Sequence, residues 1–301
     1  MAPAQSRVLV SGSSGPLGIA LVPSLRQKGY EVMRLVRGPA RGEDQISWDP
    51  AKPLAPPSVS GFSAVVHLAG ESIVGRWTDD KKRKIRDSRV QGTRNLAQAL
   101  AGASSRPRIF VTSSAIGYYG NRGDELLREN SSSGNDFLSG VCREWEGSSA
   151  PAIDVGIRTV HVRTGLVLSA SGGALDKMLR PFRLGLGGNI GNGRQWWSWI
   201  HIQDWIGGVN HVLQTNELSG PVNFVAPGPV TNAEFTSTLA SVLCRPAILP
   251  MPAFAARLVF GQMADELLLA SQKVEPEKLL ASHYRFQFPE LRNALQDLLK
   301  R

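Results

Sequence analysis

The sequence predicts an α/β protein, a doubly wound parallel sheet with a smaller, mostly helical C-terminal lobe. Three observations carry that expectation. A glycine turn joins an apolar run to a helical pattern near the start of the chain. Apolar strand-like runs then alternate with helical patterns as far as Val167, and past Gly172 the texture changes. Strands separated by helices are the arrangement of a parallel sheet covered on both faces. The spacing divides the chain into 1–245, with substrate-lobe insertions after residue 170, and a small helical region at 246–301.

The first strand is Val8 to Val10. Gly12, Ser13, Ser14, Gly15, Pro16, Leu17 and Gly18 follow, and then a helical pattern with Ile19, Leu21, Val22 and Leu25 on its apolar side. Strand, glycine turn and helix in that order make a dinucleotide-site motif. Gly12 allows the tight turn, Gly15 lets backbone N–H groups approach a pyrophosphate, and Gly18 lets the helix pack close to the strand. Glu31 to Arg37 reads as the second strand, and it ends in Val36-Arg37, with no acidic residue to accept from a ribose 2′-OH. A guanidinium suits a 2′-phosphate that a carboxylate would repel, so the expected cofactor is NADP in preference to NAD.

Ile46 to Asp49 predicts a short strand, and Ala64 to Gly70 a buried one ending in small residues where a cofactor can lie against the backbone. His67, inside that apolar run, reads as a core histidine. A long helix is expected over Thr78 to Leu100, capped by Thr78 with Asp79 and Asp80 in its first turn. Lys84 and Arg89 lie five apart on it, so one or both could face the cofactor. Arg108 to Ser114 is the next strand, leading into Ala115-Ile-Gly-Tyr-Tyr-Gly120. Hydroxyls at a strand end beside tyrosines can polarise a carbonyl or donate a proton.

Asn135 to Ala150 reads as a helix and Ile157 to Val167 as one strand carrying Arg163 and Gly165. The glycine-rich run Gly185 to Gly193 lacks a following Lys-Ser or Lys-Thr, which excludes a P-loop. Trp196 to Ile202 is expected to set Trp197 and Trp199 on one strand face, as core aromatics. Helical patterns around Pro252, Pro276 and Pro289 complete the chain.

Composition narrows the function classes. Of 301 residues, 42% are hydrophobic and 20% charged, as in an ordinary globular protein. The net charge of +9 favours anionic ligands, but the basic residues are scattered apart from the run Lys81 to Lys84, and no nucleic-acid motif accompanies them. Two cysteines, Cys142 and Cys244, imply a reducing compartment without metal spacing or a disulfide framework. Met1 to Ser6 is too short and polar for a signal peptide, and no apolar run reaches spanning length. The expectation is a cytoplasmic protein acting on a small molecule, with no metal, nucleic acid or membrane partner and a homodimer as a candidate assembly.

Further runs carry a resemblance: Trp48-Asp49-Pro50, His67 to Ser72, Ser88-Arg-Val90, Gly117-Tyr-Tyr-Gly120, Trp145-Glu146, Pro181 to Gly188, Trp199 to Asp204, Asn223 to Pro227 and Thr231 to Phe235. Over nearly its whole length the chain resembles the extended short-chain dehydrogenase/reductase superfamily, and within it an atypical branch described as epimerase-family or cell-division-inhibitor-like proteins. The resemblance implies a Rossmann-type fold binding NADP, with a smaller C-terminal lobe over a substrate cleft. Carried over by position, cofactor contacts fall on Gly12 to Gly18, Val36, Arg37, Leu68, Ala69, Gly70, Lys84 and Arg89, with Ser113, Arg163 and Leu166 beside them.

One departure bears on the chemistry. The superfamily uses a Tyr-x-x-x-Lys pair, in which the lysine lowers the pKa of the tyrosine. The corresponding helix here reads Phe137-Leu-Ser-Gly-Val141, without phenol or ammonium. Tyr118 or Tyr119 would then serve as proton donor, with Ser114 polarising a carbonyl, in an oxidoreductase or a nucleotide-sugar-epimerase relative with altered catalytic residues. The alternative is a catalytically silent NADP-binding regulator or scaffold linked to cell division.

Overall fold

The computed structural model describes residues 6–170 and 172–300; residues 1–5, which make up most of the N-terminal stretch read above, lie outside them. Strands and helices alternate from the start: β1 (Arg7–Ser11), α1 (Pro16–Gln27), β2 (Glu31–Val36), β3 (Gln45–Ser47), β4 (Ala64–His67), α2 (Asp79–Gly102) and β5 (Ile109–Ala115). Next come β6 (Leu126–Leu127), α3 (Phe137–Gly147), α4 (Ala150–Asp154), β7 (Arg158–Thr164), β8 (Leu166–Leu168) and α5 (Gly173–Arg183). β9 (Trp196–Trp197), β10 (Trp199–His201), α6 (Ile202–Gln214), β11 (Gly220–Phe224), β12 (Val230–Thr231) and α7 (Asn232–Leu243) follow. α8 (Ala253–Phe260), β13 (Lys273–Val274), α9 (Glu277–Ala281) and α10 (Leu291–Leu299) end the chain.

Seven of these strands form one sheet in the order β11-β7-β5-β4-β1-β2-β3, and every pairing in it is parallel. The order reverses between β1 and β4, the switch point where an open α/β sheet leaves a crevice at its carboxyl edge. Alternation along the strands sorts the core into two layers. Val8, Val10, Val66, Val111, Val160 and Val162 pack against α1 and α6 through Leu21, Leu25, Trp205 and Val209. Leu9, Val65 and Phe110 pack against Leu96 and Leu100 of α2 on the other face. Each such burial contributes roughly 1.5–3 kcal/mol.

Near the carboxyl edge the α2 face turns polar. Ser11, His67, Thr112 and His161 stand in one row across β1, β4, β5 and β7. Ser114, Arg163 and Asn223 form the next row, across β5, β7 and β11. All seven side chains are buried.

Local signals behave as their chemistry requires. Thr78 caps α2 by accepting from the Lys81 N–H, and Asp136 caps α3 by accepting from the Ser139 N–H. Two expected elements divide. The stretch Ile157 to Val167 is broken at Gly165, where a Cβ would lie 2.5 Å from the Ser198 carbonyl oxygen. β7 therefore stays in the main sheet while β8 turns away to pair with β10. Trp197 and Trp199 likewise fall on separate short strands, because β9 pairs with β12 and β10 with β8. Both indoles still enter one apolar cluster, as core residues. Ile19, expected on the apolar side of α1, is exposed. No helix among the described residues is long and apolar enough to cross a membrane.

His67 is a core histidine. Its Nδ1 shares a hydrogen bond with Ser11 Oγ, which also accepts from the Leu68 N–H, and its ring lies between Trp48 and Phe110. Burial pushes its pKa down from 6.5 to about 4. The folded protein therefore resists protonation there while an unfolded histidine accepts a proton. Above pH 6.5 His67 is neutral in both states and has no effect. Between that value and about 4 stability falls with pH, by on the order of 3 kcal/mol in all. Urea unfolding at neutral pH and near the lower limit should show a larger loss in the native protein than in His67→Gln. Equal losses would remove His67 from the acid response.

Candidate functional site

The crevice is built by two backbone segments in contact. Gly12 has φ +70°, and a Cβ on it would fall 2.6 Å from the Leu68 carbonyl carbon and 2.7 Å from the Ala69 nitrogen. A Cβ on Gly18 would collide with the Gly12 oxygen and lie 2.6 Å from Ser13 Cα. The turn closes through the Gly15 N–H, which donates to the Gly12 carbonyl at 3.0 Å. Gly15 then caps α1 without a side-chain hydrogen bond, Pro16 takes the first helical position, and the first turn has no acidic residue. The positive end of the helix dipole is thus not countered by its own side chains. Leu17 packs against the valine layer beneath.

At the end of β2, Val36 is half-buried and Arg37 exposed. Facing them is a carboxylate that the sequence reading did not name as a site residue. Glu71, just after Gly70, pairs with Lys81 Nζ at 2.7 Å. That hydrogen bond holds its carboxyl below the usual carboxylate range, against a smaller opposing effect of burial, and the charges of Arg37 and Lys84 add to it. Lys84 lies on the exposed side of α2 and pairs with Asp80 at 2.8 Å. Arg89 turns inward. Its Nη1 donates to the carbonyls of Glu71 and Ile85, its Cζ stacks 5.0 Å from the Trp145 ring, and a Cβ on Gly70 would touch it at 3.4 Å. Of Lys84 and Arg89, the two α2 residues expected near the cofactor, Arg89 braces the segment after β4.

The hydroxyl groups separate by strand parity. Ser113 and Ser114 point to opposite faces of β5. Ser114 is buried and donates to Glu146 Oε1 of α3 at 2.7 Å. The same carboxylate takes both Nε and Nη2 of Arg163, each at 2.8 Å, in a fork. Arg163 also donates to Tyr119 Oη at 3.0 Å and to the Glu129 carbonyl at 3.1 Å. Tyr119 in turn donates to Asn223 Oδ1 at 2.7 Å. Burial pushes the Tyr119 phenol up to about 12, although Arg163 opposes the shift. Burial alone would lower the Arg163 guanidinium; its bonds to Glu146 and Tyr119 reverse that and raise it.

Sequence reasoning set Arg163 beside the cofactor and offered Tyr119 as a proton donor. The structure commits the polar groups of both to protein partners, because their strand and turn positions point under α3. Tyr118 differs: it is half-buried, with its ring 3.5 Å from Arg163 Cζ. Phe137 and Val141, at the Tyr-x-x-x-Lys positions, belong to an apolar cluster, with Phe137 edge-on to Trp77 at 5.4 Å. Leu166 opens β8 just past the end of β7, half-buried. Glu146, Glu129 and Asn223 were missed as functional candidates. Trp145-Glu146 and Asn223 stood inside the resembling motifs, which was the available signal. Nothing marked Glu129. A polar groove of about 270 Å³ between α1 and α6, lined by Ser24, Lys28, Asn210, His211 and Tyr284, lies toward the far end of α1, away from the strand ends.

This frame of glycine turn, switch point and parallel strands can be set beside known proteins. Residues 8–225 match the NAD dependent epimerase/dehydratase family. The chain belongs to that family. Residues 251–298 match a domain of unknown function, DUF1731. Among relatives of this family member, the epimerase family protein Mb2239 of Mycobacterium bovis is 39% identical over 294 residues, covering 97% of each chain. The human epimerase family protein SDR39U1 is 40% identical over 297 residues, covering 97% of this chain and 99% of its own. The crystal structure of human SDR39U1 (isoform 2) with NADPH superposes with TM-score 0.91 at 38% identity, over 98% of this chain and 99% of that one. A nucleoside-diphosphate sugar epimerase from Corynebacterium glutamicum gives TM-score 0.83 at 37% identity, over 98% of this chain and 58% of its own.

The buried fork of this epimerase-family chain has a measurable consequence. Glu146→Gln leaves the Arg163 charge uncompensated in the interior and should cost about 3–5 kcal/mol. Replacing both partners by apolar residues, Glu146→Leu with Arg163→Met, should recover much of that loss. Denaturant unfolding of Glu146→Leu, Arg163→Met and the double variant measures the coupling. A coupling near zero would mean that the two side chains do not act as a pair.

Proposed function

We propose that the chain binds NADP in the β1/β4 crevice and uses it in an oxidoreductase or epimerase-like reaction on a small-molecule substrate. The observation that carries this reading is the Gly12–Gly18 turn, pressed against Leu68 and Ala69 beneath an uncapped helix N-terminus. The residues present suit the group. N–H groups of the turn would take the pyrophosphate, and Arg37, with Lys81 and Lys84 near Glu71, would face the 2′-phosphate. The NADPH bound to human SDR39U1 supports the same assignment here.

Bound there, NADP supplies a hydride carrier. The protein's share is proton transfer and positioning. Tyr118 is our candidate acid–base group, since Tyr119 and Ser114 already donate to Asn223 and Glu146. Those two residues, with Arg163, hold the turn that presents Tyr118. A second reading, cofactor binding without turnover, is favoured by the apolar Phe137 and Val141. Two free cysteines, one buried and one exposed, fit a reducing cytoplasm as the site of action.

Titration with NADPH and NADH, followed by nicotinamide fluorescence, tests the reading. Micromolar NADPH and much weaker NADH binding are expected, and no binding of either would overturn it. Arg37→Ala should weaken NADPH about 10–100-fold with little effect on NADH, since a charge-assisted contact contributes about 1.5–3 kcal/mol. Glu71→Gln removes a carboxylate competing for the same cations and should tighten NADPH alone. Tyr118→Phe should abolish turnover with NADPH binding intact.

A further inference from the structure

Eight of the exposed large apolar side chains come from two stretches far apart in sequence, 184–186 and 248–259. Backbone pairing joins the stretches. Leu186 bridges Ala247, the Leu249 N–H donates to the Gly187 carbonyl at 3.0 Å, and the Met251 N–H donates to the Asn189 carbonyl at 2.8 Å. Gly188 has no room for a Cβ beside the Leu249 oxygen. The glycine-rich run that superficially suggests a phosphate cradle is in fact one side of this tight ribbon. Pro252 then leads directly into α8, whose outward side is also apolar.

We propose that this ribbon and α8 form a peripheral docking face for an anionic lipid bilayer, a property beyond the proposed cofactor chemistry and independent of it. Leu184, Ile248, Phe254 and Leu258 are 72%, 75%, 72% and 74% exposed, with Leu249 and Val259 beside them. Side chains lining a protein-docking groove or a substrate cleft are half-covered by its walls; these stand clear of the surface. Contiguous apolar patches of this kind mark interaction sites, and protruding apolar side chains suit the headgroup–acyl boundary.

Charge selects the partner. Arg180 and Arg183 end α5 next to Leu184, and Arg245 donates from Nε to the Arg183 carbonyl. Among the described residues no carboxylate forms an ion pair with these three arginines. Arg257, on α8, is paired with Asp265. Arg180, Arg183 and Arg245 set unpaired positive charge beside the exposed apolar side chains, and an anionic surface attracts it. The sequence excluded a spanning helix and expected no membrane partner; the proposed face is interfacial and needs no spanning helix.

The test is co-sedimentation of the full chain with vesicles of phosphatidylcholine alone and of phosphatidylcholine with phosphatidylglycerol. Binding to the anionic vesicles, weakened by salt, is expected. Phe254→Ser with Leu258→Ser should reduce partitioning about tenfold or more through lost apolar burial. Arg180→Ala with Arg183→Ala should do so about tenfold through lost charge. Circular dichroism and melting temperature verify folding, and Leu184→Ser with Ile248→Ser serves as a second apolar variant should the first unfold. Absence of binding to anionic vesicles, or binding unchanged in the folded apolar variants, overturns the proposal. A concentration-dependent dimer that those variants abolish, without vesicle binding, would assign the face to a second copy instead.

Discussion

The candidate site depends on one steric constraint: the backbone after β1 touches the backbone after β4. Gly12 sits where any side chain would enter the Leu68–Ala69 peptide, and Gly18 where one would enter the turn itself. Two glycines therefore let α1 start directly at the switch point, with its N–H groups toward the crevice. Everything proposed for cofactor binding follows from that approach. Arg37 is placed for the proposed contact with the 2′-phosphate only because β2 is the neighbour of β1 and ends beside it.

On the other side of the same crevice, the constraint is electrostatic. Five strands carry polar side chains into the layer beneath α2 and α3, and a buried row of this kind is costly unless its groups are satisfied. Glu146 satisfies Ser114 and both ends of the Arg163 fork, and Asn223 accepts from Tyr119, whereas the buried His67 Nε2 and His161 Nδ1 in the neighbouring row have no hydrogen-bond partner among the described residues. The network around Glu146 gives geometry, and leaves its members poorly placed to exchange protons. That is why Tyr118, lying over Arg163, is the phenol proposed as the acid–base group.

Much of the fold was legible because local signals and the global pattern agree. The apolar runs, Thr78, Asp79 and the glycine turn each sit where propensity puts them. The failures are equally physical. Gly165 reads as part of a continuous strand, yet its missing Cβ admits the Ser198 carbonyl and lets the chain change sheets. Ser113 and Ser114 are indistinguishable in sequence, although parity sends Ser114 alone to Glu146. Glu71 stood inside the resembling run His67 to Ser72 without being singled out, and Glu129 was unmarked, because the partners of both come from other elements. The strand-end position of Arg163 is readable in sequence, whereas its fork to Glu146 depends on the direction of its side chain, which is not.

The C-terminal segment ties these parts together. It was expected as a small lobe, yet its side chains enter four of the five apolar clusters. Three carboxylates fasten it to the Rossmann frame. Asp204 of α6 accepts from the Gln287 and Phe288 N–H groups. Glu129 accepts from the N–H groups of Asn223 and Lys278, at the junction of β11 and α9. Glu266 accepts from the Leu138 N–H at 2.8 Å, helping to cap α3. The last bond matters most, since α3 carries Glu146, and Glu146 fixes Ser114 and Arg163. A segment bonded to the start of α3 therefore helps set the position of groups at the far end of that helix. The DUF1731 region is thus tied by a side chain of its own, the Glu266 carboxylate, to the helix that carries Glu146.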